Sequence, residues 1–120
     1  MLGSMPGGHE IDAASGAVVV TLRGELDAHD APRLKDVFAE ALAAAPNDGG
    51  AKRLVLDLTA VGFLDSTVLG TMVGALRRSR EAGGDMSVVL PDGPARRIFE
   101  ITGLDKVVDI RPDRASATAG

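Results

Sequence analysis

A chain of 120 residues with 45% apolar and 25% charged side chains suffices for one domain with a core of its own, without metal or disulfide support. An aromatic share of 2%, with no Trp or Tyr, leaves little for bases to stack on, and a net charge of −4 argues against nucleic-acid and anionic-membrane partners. The absence of Cys removes disulfides, thiolate metal sites and cysteine nucleophiles.

Taken in chain order, residues 1–8 are Gly-rich and without periodicity; they read as a disordered tail, with Met5 offering a natural start. His9 to Ala14 reads as a short edge strand, Ser15-Gly16 as a turn, and Ala17 to Arg23 as a β-branched strand, which together predict a hairpin. Gly24 to Asp30 reads as a polar loop. Asp30 or Ala31 then caps a helix with Pro32 in its first turn, and Leu34, Val37, Phe38, Ala41 and Leu42 supply its buried face. That helix stops before Pro46, and Pro46 to Gly50 is turn-rich. Arg53 to Leu58 is more continuously apolar than alternating, as a strand covered on both faces is.

After a turn ending in Asp65-Ser66-Thr67, the residues Val68, Leu69, Met72, Val73 and Leu76 predict a second helix. Gly70 and Gly74, four apart, read as a place where a neighbour approaches closely. Arg77, Arg78 and Arg80 suit the negative end of the dipole, and Gly83-Gly84 ends the helix. Met86 to Leu90 is a further strand. Gly93-Pro94 opens a helix that buries Ala95, Ile98, Phe99 and Ile101 and is capped by Gly103, and Val107 to Ile110 is a last strand. The domain is expected over 9–111, with 112–120 a flexible tail. The order β-β-α-β-α-β-α-β predicts a single α/β domain, a mixed, mainly parallel sheet with an N-terminal hairpin and packed helices.

Constellations for catalysis are weak, and no catalytic residue, cofactor or metal is expected. His9 and His29 are twenty residues apart, and no Gly-Lys-Ser/Thr phosphate loop or Gly-x-Gly-x-x-Gly is present. Leu64 and Val68 stand where a nucleophile elbow around Ser66 would need glycines. Asp27, Asp57 and Asp65 could form a carboxylate cluster for Mg²⁺, but a strand position for Asp57 and a cap position for Asp65 read as structural. The Asp65-Ser66-Thr67 turn is itself the ordinary chemistry of a helix N-cap. It is also a place where an added phosphoryl group would face the positive end of a helix.

Four linked motifs carry a family resemblance: Leu22-Arg23-Gly24-Glu25-Leu26-Asp27, Leu54 to Leu58, Val61 to Gly70, and Pro94 to Leu104. In order and spacing they resemble the STAS domain, the sulfate-transporter and anti-sigma-factor-antagonist family, and most closely its free-standing bacterial anti-sigma factor antagonists. Val68 departs from the pattern, which often has Gly there. The resemblance implies a STAS-like fold and a partner-switching role, with no catalysis by this chain. The unmodified protein binds an anti-sigma factor that is a serine kinase and so frees a sigma factor. The kinase uses ATP and Mg²⁺ to phosphorylate the serine matching Ser66, and a PP2C-type phosphatase reverses this. Thr67 is the runner-up acceptor. Glu25, Asp27, Asp65 and Thr67 are the expected partner contacts. The alternative is a STAS subunit of a sensory or lipid-transport assembly without a phosphorylation switch. A third possibility, an enzyme or nucleotide-binding domain on the same architecture, finds no site in these residues. No apolar run reaches the roughly 20 residues of a membrane span and no signal peptide is visible, so direct membrane insertion is not expected and the cytoplasm is the expected compartment.

Overall fold

The computed structural model describes residues 8–14, 16–45 and 53–118. The chain runs β1 (His9–Ala14), β2 (Ala17–Leu26), a 3-10 turn (Ala28–Asp30), α1 (Ala31–Ala44), β3 (Arg53–Leu64), α2 (Ser66–Glu81), β4 (Asp85–Val89), α3 (Pro94–Thr102), a second 3-10 turn (Leu104–Lys106), β5 (Asp109–Arg111) and α4 (Arg114–Thr118). The described strands form one sheet in the order β1-β2-β3-β4-β5. β1 pairs antiparallel with β2 across a turn at Gly16, whose φ of +80° suits a residue without a Cβ. The pairings β2-β3, β3-β4 and β4-β5 are parallel, as the alternating pattern predicts. The expected tail over residues 1–7 and the expected loop over 46–50 lie outside the described residues.

The apolar periodicities explain the core. Leu34, Val37, Phe38 and Ala41 of α1, Val68, Leu69, Met72, Ala75 and Leu76 of α2, and Ala95 and Phe99 of α3 form one cluster with Val18, Val20, Leu22, Leu54, Leu56 and Leu58 of the sheet. The intervening strand positions Ala17, Val19, Val55 and Val89 point the other way and are buried in a second cluster with Ala117. Alternation along a strand sends successive side chains to opposite faces, so Leu54-Val55-Leu56, apolar at consecutive positions, requires cover on both.

That second cover corrects the expected tail. Residues 114–118, read as part of a flexible polar end, form α4, and Ala117 is buried against the sheet. Its few residues are held by polar contacts that no local periodicity announces. Asp113 accepts from the Ser116 N–H at 2.8 Å at one end, and the Arg53 guanidinium donates to the Ala117 carbonyl at 2.6 Å at the other. Arg114 lies across the sheet, donating to the Asp57 carboxylate at 2.8 Å and to the Thr21 hydroxyl at 2.7 Å. Burial alone would raise the Asp57 pKa. Hydrogen bonds from the Thr59 hydroxyl and N–H, and then the Arg114 guanidinium, outweigh it and hold the carboxyl below its ordinary value.

Three further expectations shift. The loop expected from Gly24 is still strand as far as Leu26, which is fully buried, because irregularities in the β2-β3 register and a positive φ at Gly24 bend the strand without ending it. The last strand starts at Asp109, later than the expected Val107, because a 3-10 turn follows the left-handed Gly103. Ile101, expected in the core, is 77% exposed.

Asp57→Asn and Arg114→Ala should each lower unfolding stability at pH 7 by about 1 kcal/mol, since each strips a part-buried charge-assisted contact. A carboxyl depressed in the folded state stabilises above its unfolded pKa and loses that contribution as pH falls through the folded value. Urea titrations should therefore show the gap between the native chain and Asp57→Asn closing below about pH 4.

Candidate functional site

The site stands at the carboxyl end of the two longest strands. Parallel pairing continues to the tips of β2 and β3, with Glu25 opposite Phe63 and Leu26 opposite Leu64. One residue on, the Asp65 N–H donates to the Leu26 carbonyl at 3.2 Å, which ties the turn to the end of β2. Asp65 is in extended geometry, and its Oδ1 accepts from the Val68 N–H at 3.0 Å, so it is the N-cap of α2. Its carbonyl accepts from the Leu69 N–H, opening the helical ladder.

Ser66 is therefore the first residue of α2 and Thr67 the second; both are exposed. Neither hydroxyl hydrogen-bonds to another described residue, and the N–H groups of Ser66 and Thr67 have no acceptor among them. The free positive end of the helix and a free hydroxyl thus share one exposed turn. Val68, which stands where the resembled pattern often has Gly, is fully buried and seals the turn to the core.

The other expected contacts sit beside this turn. Glu25 is exposed and has no ion pair to a described residue. Asp27 is exposed too but already has a structural task. Its Oδ1 accepts from the His29 N–H and its own N–H donates to Asp30, a reciprocal cap that closes the 3-10 turn before α1. The Asp27 N–H, against some burial and with help from Arg33, holds the Asp30 carboxyl below its ordinary pKa. Asp30, expected as a possible cap of α1 itself, makes no such side-chain bond; the helix runs on from the turn. Asp27, Asp57 and Asp65 are thus engaged separately, and no group of three potential metal-binding His or acidic residues gathers among the described residues.

Sequence reasoning missed Phe63. It is 46% exposed, one of only three Phe in a chain poor in aromatics, and lies three residues before Ser66. Burial of neighbouring Val61 and Leu64 shows that β3 loses strict alternation at its tip, which no local pattern announces.

With this geometry in place, comparison with known proteins is informative. The STAS domain family model matches residues 9–117. The anti-sigma-B factor antagonist of Listeria monocytogenes is 36% identical over 92 residues, covering 77% of this chain and 76% of that protein. Among solved structures, an anti-sigma factor antagonist from Mycobacterium paratuberculosis superposes with a TM-score of 0.82 at 29% identity, covering 94% of this chain and 92% of that one. The Bacillus antagonist SpoIIAA shares the fold in its unphosphorylated form, with a TM-score of 0.71, 19% identity and 91% and 92% coverage of this chain and that one. In its phosphorylated form the values are 0.65, 20%, 91% and 96%. No described helix is long and apolar enough to cross a membrane.

The cap and the serine should separate in a stability measurement. Asp65→Ala should cost about 1 kcal/mol in urea unfolding, the usual loss for a helix cap. Ser66→Ala, which removes no described contact, should stay within about 0.5 kcal/mol of the native chain.

Proposed function

Since this chain belongs to the STAS domain family, we propose that it is an anti-sigma factor antagonist whose partner binding is switched by phosphorylation of Ser66. The observation that carries this reading is an exposed serine hydroxyl, free of any described hydrogen bond, at the first position of a helix whose first two N–H groups are also free. A protein kinase needs a hydroxyl that leaves the fold without disrupting it. A phosphate arriving there adds about −1.5 to −2 of charge, which the helix end tolerates. The Asp65 cap keeps its own bond to Val68, so the modification leaves the domain folded and acts on the surface. A partner fitted around a neutral Ser66 loses affinity through repulsion and desolvation; a coupling of about 3 kcal/mol is over a hundredfold.

The partner is an anti-sigma factor with serine kinase activity, using ATP and Mg²⁺, and a PP2C-type phosphatase resets the site; the compartment is the cytoplasm. Unmodified antagonist sequesters the kinase and leaves the sigma factor free. The bond-making chemistry belongs to the partners, and this chain is ligand and substrate. Glu25, Asp27 and Asp65 form an acidic rim for basic groups of the partner, Thr67 borders the phosphorylated turn, and Phe63 offers an apolar anchor of the kind that dominates binding energy.

The test is to incubate the purified chain with ATP, Mg²⁺ and the serine-kinase anti-sigma factors of its own genome, reading intact mass, site and binding. One phosphate on Ser66 is expected, absent in Ser66→Ala, with kinase affinity falling about a hundredfold on modification. Phosphate on Thr67 instead would move the acceptor. A stable complex that accepts no phosphate would replace the switch with a permanent binding module.

A further inference from the structure

Beside Ser66 the two adjacent helices leave a groove of about 290 Å³, lined by Lys35 of α1 and by Thr67, Gly70, Thr71, Gly74 and Arg78 of α2. Three features of it call for explanation. The first is its floor. A Cβ on Gly70 would meet nothing within 4 Å, and one on Gly74 would meet only the Arg78 guanidinium, at 3.7 Å. The expectation that these glycines admit a neighbouring element is therefore not met, since Gly70 faces open space and Gly74 only the Arg78 guanidinium of its own helix. Glycine is, after proline, the least favourable residue in a helix interior, and α2 carries two of them one turn apart with no packing in return.

The second feature is charge. The lining holds two cations and no carboxylate, in a chain of net charge −4. Neither Lys35 nor Arg78 makes a side-chain hydrogen bond or ion pair with another described residue. Arg77, Arg97 and Lys106 are likewise without a described partner but stand outside this lining, whereas Arg23, Arg80, Arg96, Arg111 and Arg114 all have carboxylate partners. The third feature is position. Thr67 of the lining directly follows Ser66, while the acidic Glu25 stands at the tip of β2 and Asp27 one residue past its end.

We propose that this groove receives an acidic segment of the anti-sigma partner, its carboxylates meeting Lys35 and Arg78 and its backbone lying close over Gly70 and Gly74. The proposal rests on the antagonist reading above and deepens it. An acidic rim on one side of Ser66 and a cationic groove on the other make a two-signed surface, which fixes the orientation of a partner more firmly than either sign alone. It also supplies a mechanism for the switch. Phosphate on Ser66 puts negative charge one residue from Thr67 of the lining, and like charges nearer than a Debye length of about 8 Å repel.

The probe is a hexaglutamate peptide titrated into the full chain and followed by backbone amide NMR, with no kinase present. Saturable shifts are expected at Thr67, Gly70, Thr71 and Gly74. They should weaken about tenfold in the double variant Lys35→Gln, Arg78→Gln, each exposed pair being worth up to about a factor of several. Gly70→Leu, which fills the floor, should abolish binding while raising the thermal midpoint, a combination that a purely structural role for the glycine does not produce. The same variants should weaken binding to the kinase that modifies Ser66. Shifts centred on other cations such as Arg77 or Arg97, or unaffected by these variants, overturn the proposal. So do groove shifts that grow with protein concentration alone, which would assign the groove to a second copy of the chain. Because the peptide titration needs no kinase, Ser66 phosphorylation with an inert groove removes this inference alone, and groove binding of both peptide and kinase without phosphate on Ser66 removes the phosphorylation switch alone.

Discussion

The parallel pairing of β2 with β3 holds past the body of the sheet, out to Leu26 and Leu64, and the candidate site depends on that extension. Had β2 stopped at Arg23, Glu25 and Asp27 would hang on a free loop. Instead Leu26 is driven into the core, and its carbonyl accepts from the Asp65 N–H. A buried apolar side chain and a backbone hydrogen bond together set the height at which β3 gives way to α2. The cap, the exposed serine and the placement of Glu25 all follow from that one junction. Local order here is a consequence of tertiary burial, because a turn tethered at both strand ends has few conformations left to lose on meeting a partner.

The sheet has two faces of unequal cover. One is sealed by three helices with long apolar stripes. The other is sealed in part by α4, too short to hold itself and therefore held by Asp57, Arg53 and Asp113. Charged groups carry this cover because a five-residue helix offers a single buried alanine, too little apolar area to dock by burial alone. The two ends are also separate in space: the Asp57–Arg114 ion pair fastens α4 to the second face, while Ser66 stands at the sheet's carboxyl edge.

The chain belongs to the STAS family, and anti-sigma factor antagonists are among the proteins it resembles. The site has the character of a recognition surface. It holds a hydroxyl without a base beside it, acids occupied in capping, an exposed aromatic, and a helix end with free N–H groups.

Much of this was legible in the chain itself. Period-3.6 stripes such as Leu34, Val37, Phe38 and Ala41, the double-sided apolar run Leu54–Leu58, and the punctuation at Gly16, Gly83 and Gly103 specify the elements and their order, because burial periodicity and left-handed turns are local demands. Asp65-Ser66-Thr67 likewise announced a helix start, since capping is satisfied within a few residues. Only the tertiary structure decided the rest. It joined Arg114 to Asp57 across 57 residues and turned an apparent tail into the cover of a sheet face. It exposed Phe63 and Ile101, and it left Gly70 and Gly74 over an open groove where the spacing had implied a tight contact. These are meetings between residues distant in sequence, and a periodicity records which way a side chain faces along its own element without recording what, if anything, waits on the other side.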